Sequence, residues 1–384
     1  MQNFLIKIEN KNVDSIIKKV TTFDWSKIPD IKNWSLGINK QEFKSICDYW
    51  TTNYNWEEAE KKINQFNHYK AKVNDLNIHF IYKKGKNKDS IPLLISHGWP
   101  GSFLEFYEII EPLTDPKSFG LDNEISFDLI IPSIPGFAFS DKPPVPFGPR
   151  KIASYYNDLM TKVLNYKSYM AQGGDWGGAI SSWLGYDHKK FCKAIHLNIM
   201  IMRNKIGPQT EEEKLWQKKF KKEQILEEGY RSLQATKPQT LAFAMNENPV
   251  GVAAWIFEKF HGWSDLKNKT IFDIYSKDNL LTNIMIYLVT NSFNTASWIY
   301  FGRREEGGRA MNIEGKVNTP TGCAVFPKEF LSWPPKSYVE RLYNVLHWSE
   351  MPSGGHFAAM EEPNLLLNDI LSFTKKIKVL FNSK

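Results

Sequence analysis

Short apolar runs alternate with segments of helical spacing through the middle of the chain. Each run ends near a glycine or proline and is followed by apolar positions three or four residues apart. This alternation is typical of a mostly parallel sheet with helices packed on it, so it predicts an α/β fold. The predicted strands are 93–96, 127–132, the run entering at 169, and 194–199, and the predicted helices pass through 106–110, 152–164 and 179–186.

Two apolar runs at the start of this pattern predict a β-hairpin. Residues 78–82 and 91–95 both have strand character, and the polar segment 83–90 separates them. Pro92 has no N–H to donate to a neighbouring strand. We therefore expect the second strand to begin near a sheet edge or a bulge.

The N-terminal segment 1–72 has a different character and shows no clear set of strands. Apolar residues recur there at helical spacing in two places, which predicts two helices. Asn55 followed by Glu58 is typical of a capping box at the start of the second helix. We expect this segment to wrap the core as a meander. The residues at helical spacing are Phe43, Ile46, Cys47 and Trp50, and then Trp56, Ala59, Ile63 and Phe66.

The pattern between 202 and 306 is helical without intervening strands, which predicts a helical cap inserted into the α/β core. Strand character returns at 321–326 and 343–348, and a helix at 365–376 closes the chain. The core would then have a first part at 73–201 and a second part at 307–384. The predicted cap helices are 211–228, 240–245, 250–260 and 279–298.

Composition supports a large core and an aromatic pocket, because 42% of the 384 residues are hydrophobic and 14% are aromatic. The net charge of +7 is spread along the chain. Its densest basic cluster, at 218–222, is flanked by acidic residues and is typical of a solvated helix face. No nucleic-acid-binding motif accompanies it. We therefore expect no nucleic acid partner.

The cysteines and the N-terminal residues indicate the cellular compartment of the protein. Cys47, Cys192 and Cys323 form an odd, unpatterned set, which argues against a disulfide framework and against a zinc site. Charged residues interrupt the first nine positions before a secretory apolar region can form. No apolar run approaches the roughly 20 residues that a membrane span needs. We expect a soluble, cytoplasmic protein without a membrane anchor.

The segment 169–180, YMAQGGDWGGAI, predicts a strand, a sharp turn and a helix with Asp175 at the apex. This is the pattern of a nucleophile elbow, in which small residues such as Gly173 and Gly177 let strand and helix approach closely. A carboxylate nucleophile would form an ester, so its substrate would be an electrophilic carbon. An aspartate in a glycine-rich turn is also common without any such role. Whether Asp175 is a nucleophile therefore depends on whether the chain also contains the other residues of a catalytic site.

Two later residues complete a possible catalytic triad. Nucleophile, acid and histidine follow one another in α/β-hydrolases, and Asp175, Glu329 and His356 have that order. His356 follows two glycines in a loop before the last helix, where it could reach the elbow. Glu329 follows a predicted strand, where its carboxylate could orient the imidazole. An ordinary surface acid is as compatible with the position of Glu329 alone.

The segment 97–100, HGWP, lies where α/β-hydrolases build their oxyanion hole. The backbone N–H groups of Trp99 and Trp176 could both face a developing oxyanion. The bond between Trp99 and Pro100 is a candidate for the cis form. A turn packed with aromatic residues is the plainer alternative.

Phenol groups in the predicted cap would suit an epoxide substrate, because a neutral phenol can donate a hydrogen bond to a developing alkoxide. Spacing alone does not choose among the candidates, and most buried tyrosines are simply packed and hydrogen-bonded. The cap offers Tyr230, Tyr275, Tyr287 and Tyr300.

With these motifs in place, the chain resembles epoxide hydrolases of the microsomal and juvenile-hormone type, from about Trp34 to Leu371. The matching motifs are 97–102 (HGWPGS), 172–177 (QGGDWG) and 354–359 (GGHFAA). The stretch 320–329 resembles the one that holds the family's catalytic acid, which implies that role for Glu329. The stretches 229–238 and 290–300 resemble the surroundings of the two cap tyrosines. The resemblance thus implies Tyr230 and Tyr300 as proton donors, with Tyr275 and Tyr287 structural.

The resemblance also implies an α/β-hydrolase fold with an inserted helical cap and an N-terminal meander. It implies that an apolar epoxide and water become a vicinal diol through an ester on Asp175, without a metal or organic cofactor, in a detoxifying role. The family's membrane-bound members begin with a hydrophobic anchor, from which this chain departs. A homo-oligomer is left open. The alternatives are a hydrolase similar to haloalkane dehalogenases and a non-catalytic ligand-binding protein on the same fold.

Overall fold

A single mixed sheet carries the fold. The structure is a computed structural model that describes residues 1–121, 125–267 and 269–381. Within these ranges the sheet has nine strands in the order β1-β2-β3-β5-β4-β6-β7-β8-β9. The strands are β1 (Gln2–Asn3), β2 (His68–Val73), β3 (Leu76–Lys83), β4 (Ile91–Ser96), β5 (Phe127–Pro132), β6 (Tyr169–Gly173), β7 (Cys192–Leu197), β8 (Val317–Val325) and β9 (Tyr343–Glu350).

The predicted parallel core is confirmed. Strands β4 to β9 pair with one another in parallel, whereas β1, β2 and β3 add an antiparallel edge that joins the core through β5. The central strands are apolar along most of their length, and Leu93, Leu94 and Ile95 are fully buried. Such continuous apolar runs are what a parallel strand needs when helices cover both faces.

The predicted hairpin is wrong. Strand β3 pairs with β2 and β5, while β4 lies between β5 and β6 and does not contact β3 in the ladder. The real hairpin turns at Asn74, whose φ of 54° is tolerated by asparagine, between strands β2 and β3. Pro92 is therefore in a central strand. It is tolerated because pairing with β6 begins only at Leu93.

Helices α1 to α3 precede the core. The two predicted helices are confirmed as α2 and α3, and Asn55 caps α3 by accepting from the backbone N–H groups of Glu57 and Glu58. The prediction of no strands in 1–72 is wrong, because β1 and most of β2 lie there. Strand β1 pairs with β2, and β2 pairs with β3, so both belong to the antiparallel edge of the sheet. The helices are α1 (Asn10–Thr21), α2 (Lys40–Thr52) and α3 (Trp56–Ile63).

The core helices follow the alternation that the sequence predicted. Helix α6 packs along β6 and β7 with α5 beside it, and α4 packs against both β5 and α15. The helices are α4 (Tyr107–Thr114), α5 (Pro149–Asp158), α6 (Asp175–Asp187), α13 (Lys336–Glu340), α14 (Ala358–Glu361) and α15 (Pro363–Ile377).

Six α-helices lie between β7 and β8 in the part of the chain that the structure describes. The segment 279–298, predicted as one helix, is broken at Asn291, whose φ is 50°. The N–H of Ser292 donates to the carbonyl of Tyr287 at 3.0 Å, and the next helix begins at Phe293. The helices are α7 (Glu211–Thr236), α8 (Pro238–Met245), α9 (Pro249–Trp263), α10 (Lys277–Val289), α11 (Phe293–Ala296) and α12 (Trp298–Glu305). The division of the chain at 72, 201 and 306 stays a prediction.

Candidate active site

Asp175 lies at the sharp turn between β6 and α6, with a φ of 43° that few non-glycine residues adopt. The neighbouring residues Gly173 and Gly177 must be small, because neither position has room for a side chain. A Cβ on Gly173 would lie 2.1 Å from the backbone of Gly177, and a Cβ on Gly177 would lie 1.9 Å from the carbonyl oxygen of Ser96. The glycines thus let α6 begin against β4 and β6, which holds the Asp175 side chain at the carboxyl end of the sheet.

The loop after β4 presents a hydrogen-bond donor to this carboxylate. The backbone N–H of Trp99 donates to Oδ1 of Asp175 at 2.8 Å, and the backbone N–H of Trp176 lies close enough to lower the pKa of this carboxyl. Gly98 lies so close that a Cβ there would be 2.1 Å from Oδ1. The bond between Trp99 and Pro100 is cis. The two N–H groups that the sequence indicated therefore meet at one carboxylate.

His356 and Glu329 lie in the loops after β9 and β8. These loops are joined where the N–H of Lys328 donates to the carbonyl of Gly354 at 3.1 Å. His356 Nδ1 is 2.9 Å and 3.0 Å from the two carboxylate oxygens of Glu329, and its Nε2 is 3.6 Å from Oδ2 of Asp175. The three residues that chain order predicted are thus brought together, all of them buried.

Charge in this buried site shifts the pKa values of His356 and Asp175. Burial disfavours the imidazolium, but the carboxylates of Glu329, Asp175 and Glu105 outweigh it and raise the pKa of His356 to about 9. Burial also raises the pKa of Asp175, which His356 and the backbone hydrogen bonds oppose. At neutral pH the stable arrangement is an imidazolium between two carboxylates.

The two tyrosines singled out by the resemblance face the elbow from the inserted helices. Tyr230 lies on α7 and Tyr300 on α12, with their rings 5.8 Å apart. The ring of Tyr230 stacks on Trp99 at 5.3 Å, and that of Tyr300 meets Trp176 edge-on at 4.6 Å. Burial raises the pKa of both phenols, so both are protonated at neutral pH.

The hydroxyl of Tyr300 differs from those of Tyr275 and Tyr287 in its contacts. Within the described ranges it has no partner in normal hydrogen-bond geometry, although Tyr230 and Trp176 lie close enough to affect its pKa. The other two cap tyrosines are engaged elsewhere. Tyr287 donates to the carbonyl of Gly101 at 2.7 Å, and the hydroxyl of Tyr275 lies 2.6 Å from that of Ser264. Their contacts support a structural role.

Sequence reasoning missed Trp263, the last residue of α9. Its indole stacks on Phe330 at 4.0 Å and meets His356 edge-on at 5.0 Å, and its carbonyl accepts the N–H of His356 at 2.9 Å. It also lies 5.3 Å from the ring of Tyr230. No local motif marks it, because its contacts come from separate parts of the chain.

Glu105 was also missed, although it follows the 97–102 motif by only three positions. Burial raises the pKa of its carboxyl to about 8, and its charge affects the pKa of His356. The sequence could have indicated Glu105, because it is an acidic residue within the apolar, helix-like stretch that follows this motif.

No described group of three or more His, Cys, Asp or Glu side chains could hold a metal ion. Across the described ranges, no helix is both long and apolar enough to cross a membrane.

Comparison with known proteins shows the family and the fold class of the chain. Residues 1–106 match the family model described as epoxide hydrolase N terminus, and residues 91–284 match the alpha/beta hydrolase fold. A curated relative, juvenile hormone epoxide hydrolase 1 of Ctenocephalides felis, is 35% identical over 99% of this chain and 87% of its own. The chain belongs to the epoxide hydrolase family. It is a hydrolase with the α/β-hydrolase fold, as the motifs predicted.

Further members of this family are similar to the chain over nearly its whole length. Epoxide hydrolase 1 of Sus scrofa is 34% identical over 96% of this chain and 87% of its own. The crystal structure of juvenile hormone epoxide hydrolase from Bombyx mori superposes with a TM-score of 0.87 at 28% identity, covering 99% of this chain and 95% of that one. The structure of Aspergillus niger epoxide hydrolase superposes with a TM-score of 0.84 at 27% identity, with 98% and 96% covered.

Proposed function

We propose that this protein converts an apolar epoxide and water into a vicinal diol through a covalent ester on Asp175. The observation that carries this is the placement of the Asp175 carboxylate. One oxygen accepts the Trp99 N–H at 2.8 Å, and the other faces His356 Nε2 at 3.6 Å. Two protonated phenols, Tyr230 and Tyr300, pack on the rings of Trp99 and Trp176, and the charge of Asp175 raises the pKa of both.

In the first step Oδ2 of Asp175 attacks an epoxide carbon. The C–O bond of the ring breaks, and its electron pair stays on the epoxide oxygen. Tyr230 and Tyr300 donate hydrogen bonds to that oxygen, and one phenol proton neutralises it, so no free alkoxide need form. The product of this step is an ester of Asp175 with the hydroxyalkyl group.

Before the second step the imidazolium of His356 returns a proton to the phenolate left by ring opening, so that Nε2 becomes a free base. His356 Nε2 then takes a proton from water as the water oxygen attacks Cγ of Asp175. The N–H groups of Trp99 and Trp176 stabilise the oxyanion on Oδ1. Collapse breaks the bond between Cγ and the ester oxygen of the hydroxyalkyl group, and that oxygen takes the proton held by His356 to release the diol. The carboxyl proton left on Asp175 then passes to His356, which regenerates the carboxylate and the imidazolium. In the free enzyme the negative charge of Asp175 helps to keep His356 protonated. The ester removes this charge. Ester formation thus lowers the pKa of His356 when a base is needed.

The walls of the site support an apolar substrate. Trp99, Trp263 and Phe330 are packed around the triad, and a groove of about 550 Å³ between the N-terminal segment and the inserted helices reaches Tyr230. The groove is lined mainly by apolar residues such as Ile38, Met245 and Trp255. The expected cytoplasmic location and the role in detoxification stay predictions.

The test is a single turnover of an aryl or alkyl epoxide in ¹⁸O-water with excess enzyme. The first diol should carry unlabelled oxygen from Asp175, and the label should enter the carboxylate of that residue. Label in the first diol would mean that water attacks the epoxide directly, and the ester mechanism would then be wrong.

Dehalogenation is the alternative chemistry for this nucleophile, because the indole Nε1 atoms of Trp99 and Trp176 have no partner among the described residues and could bind a halide. The two phenols favour the epoxide. Halide release from haloalkanes without diol formation from epoxides would reverse the choice. Tight binding of epoxides with no turnover across a broad panel would instead favour a ligand-binding protein.

A further inference from the structure

Three arginines lie together beside the proposed site, and we refer to Arg203, Arg303 and Arg309 as the arginine cluster. Arg203 follows β7 and Arg309 follows α12, and the backbone N–H of Arg203 donates to the carbonyl of Arg309 at 2.8 Å. Arg303 lies on α12, one turn after Tyr300. The cluster therefore occupies the junction between the sheet and the inserted helices.

The cluster has no counter-ion within the described part of the chain. None of its three guanidinium groups has a described carboxylate within 4 Å. By contrast, the neighbouring Arg231 pairs with Glu228. Among the described residues, the guanidinium group of Arg203 donates only to the carbonyl of Met202, at 3.3 Å. Its Nε and Nη2, and Nε of Arg309, are buried without a described partner.

Aromatic rings cover part of this charge. The guanidinium of Arg203 lies 4.8 Å from the ring centroid of Phe220, and that of Arg309 lies 5.6 Å from the same centroid. Such contacts offset only part of the free energy lost when a cation leaves water. Burial lowers the pKa of Arg203 and of Arg303 to about 9, so the cluster still carries its charge at neutral pH.

The cluster adjoins the reacting groups. The guanidinium of Arg303, a residue that is only 6% exposed, lies 5.3 Å from the ring centroid of Trp176, the residue after the proposed nucleophile. That indole also contacts Tyr300. Tyr230 and Tyr300 both affect the pKa values of Arg303 and Arg309, so these phenols and guanidinium groups share one electrostatic environment.

We propose that the arginine cluster binds an anionic group of the substrate, so that the preferred substrate is an apolar epoxide that also carries a carboxylate. A carboxylate would give the unpartnered N–H donors the charged acceptor that the protein does not supply, in the paired geometry that guanidinium groups favour. This inference rests on the proposed epoxide hydrolase function and deepens it. It differs from the expectation of a purely apolar epoxide.

The first test compares terminal epoxides that carry a carboxylate at the far end of saturated spacers of several lengths, each beside its methyl ester. For at least one spacer, kcat/KM of the wild-type protein should be about tenfold or more higher for the acid, as expected for a charge-assisted hydrogen bond. Equal or better turnover of every ester would overturn this inference and leave the proposed function intact. Failure to form diol from any epoxide would instead contradict the proposed function.

Arg303→Met and Arg309→Met should each reduce the ratio of acid to ester kcat/KM about tenfold, because each removes a charged donor to the carboxylate. The matched control is Arg304→Met, because Arg304 is the next residue, is 47% exposed and pairs with Glu305. An equal loss for acid and ester in both cluster variants would overturn the inference, since the cluster would then act on the ring opening rather than on an anion.

A binding measurement keeps the inference testable if a variant fails to fold. Octanoate should inhibit the wild-type protein competitively and raise its Tm, whereas octanol at equal concentration should do so about tenfold less well. Equal effects of octanoate and octanol on the wild-type protein would overturn the proposed anion site.

Discussion

Trp99 donates its backbone N–H to Oδ1 of Asp175 at 2.8 Å, although the two residues are 76 positions apart. Two neighbouring parallel strands, β4 and β6, end at the same edge of the sheet and bring these loops together. In the proposed mechanism this hydrogen bond makes Oδ1 the ester carbonyl oxygen, and Oδ2, which lies 3.6 Å from His356 Nε2, is the attacking atom.

His356→Gln should trap the ester. Without a base at Nε2, the first step still occurs, but hydrolysis should slow by about 10²-fold or more. Mass spectrometry should find the substrate mass on the peptide that contains Asp175. The same change combined with Asp175→Ala should show no adduct. An adduct that persists in the double variant would place the nucleophile elsewhere.

Tyr230→Phe and Tyr300→Phe should each lower kcat/KM for an epoxide by roughly 10²-fold, because each removes one donor to the developing alkoxide. Stopped-flow tryptophan fluorescence can follow the ester-forming step directly. Tyr275→Phe is the matched control, since its hydroxyl is engaged by Ser264. If all three variants lose activity equally, the effect is one of packing rather than proton donation.

Ester hydrolysis should depend on pH through His356. The pKa of His356 is about 9 in the free enzyme, with Glu329 and Asp175 both raising it against burial. The ester removes the Asp175 charge, so the rate of hydrolysis should rise with pH to a plateau with its midpoint below 9. Glu329→Gln should move this midpoint lower still, in single-turnover measurements across pH. An unchanged midpoint would show that Glu329 does not act on the imidazole.

Asp369 predicts a pH dependence of stability away from the site. It lies 2.9 Å from His196 Nε2 and 2.7 Å from His347 Nε2, and all three side chains are buried. Burial would raise the pKa of Asp369, but these histidine contacts outweigh it and hold the pKa well below the ordinary range. The stabilisation is therefore present above the ordinary aspartate pKa of about 3.9 and is lost as the pH falls further.

Asp369→Asn removes this carboxylate and should destabilise the protein by about 3 kcal/mol at neutral pH, because a buried partner is lost. Denaturant unfolding at pH 7 and pH 3 measures the free energy of unfolding, and the difference between wild type and variant should shrink at pH 3, below the ordinary aspartate pKa of about 3.9. The exposed change Asp48→Asn is the control, since Asp48 pairs with Lys44 on the surface. A difference that grows on acidification would mean that the Asp369 carboxylate does not stabilise the folded state through its charge.

Much of the fold follows from local sequence pattern. Strands β5 and β6 and helices α2 and α15 have apolar spacing that admits one interpretation, so the sequence alone predicts them. The false hairpin arose because β3 and β4 are adjacent in the chain and equally apolar. Strand pairing depends on which neighbours bury each face of a strand. Strand β5 follows β4 in the chain, and it lies between β3 and β4 and pairs with both.

The sequence by itself determined the chemistry available to the site: the order of Asp175, Glu329 and His356, and the glycines that permit the turn. Only the tertiary structure decided the rest. It placed Tyr230 and Tyr300 by burying their rings against Trp99 and Trp176, and it brought in Trp263, Glu105 and the arginine cluster. A motif records local conformation, whereas burial, unmet hydrogen bonds and charge coupling depend on residues far apart in the chain that fold to within a few ångströms of each other.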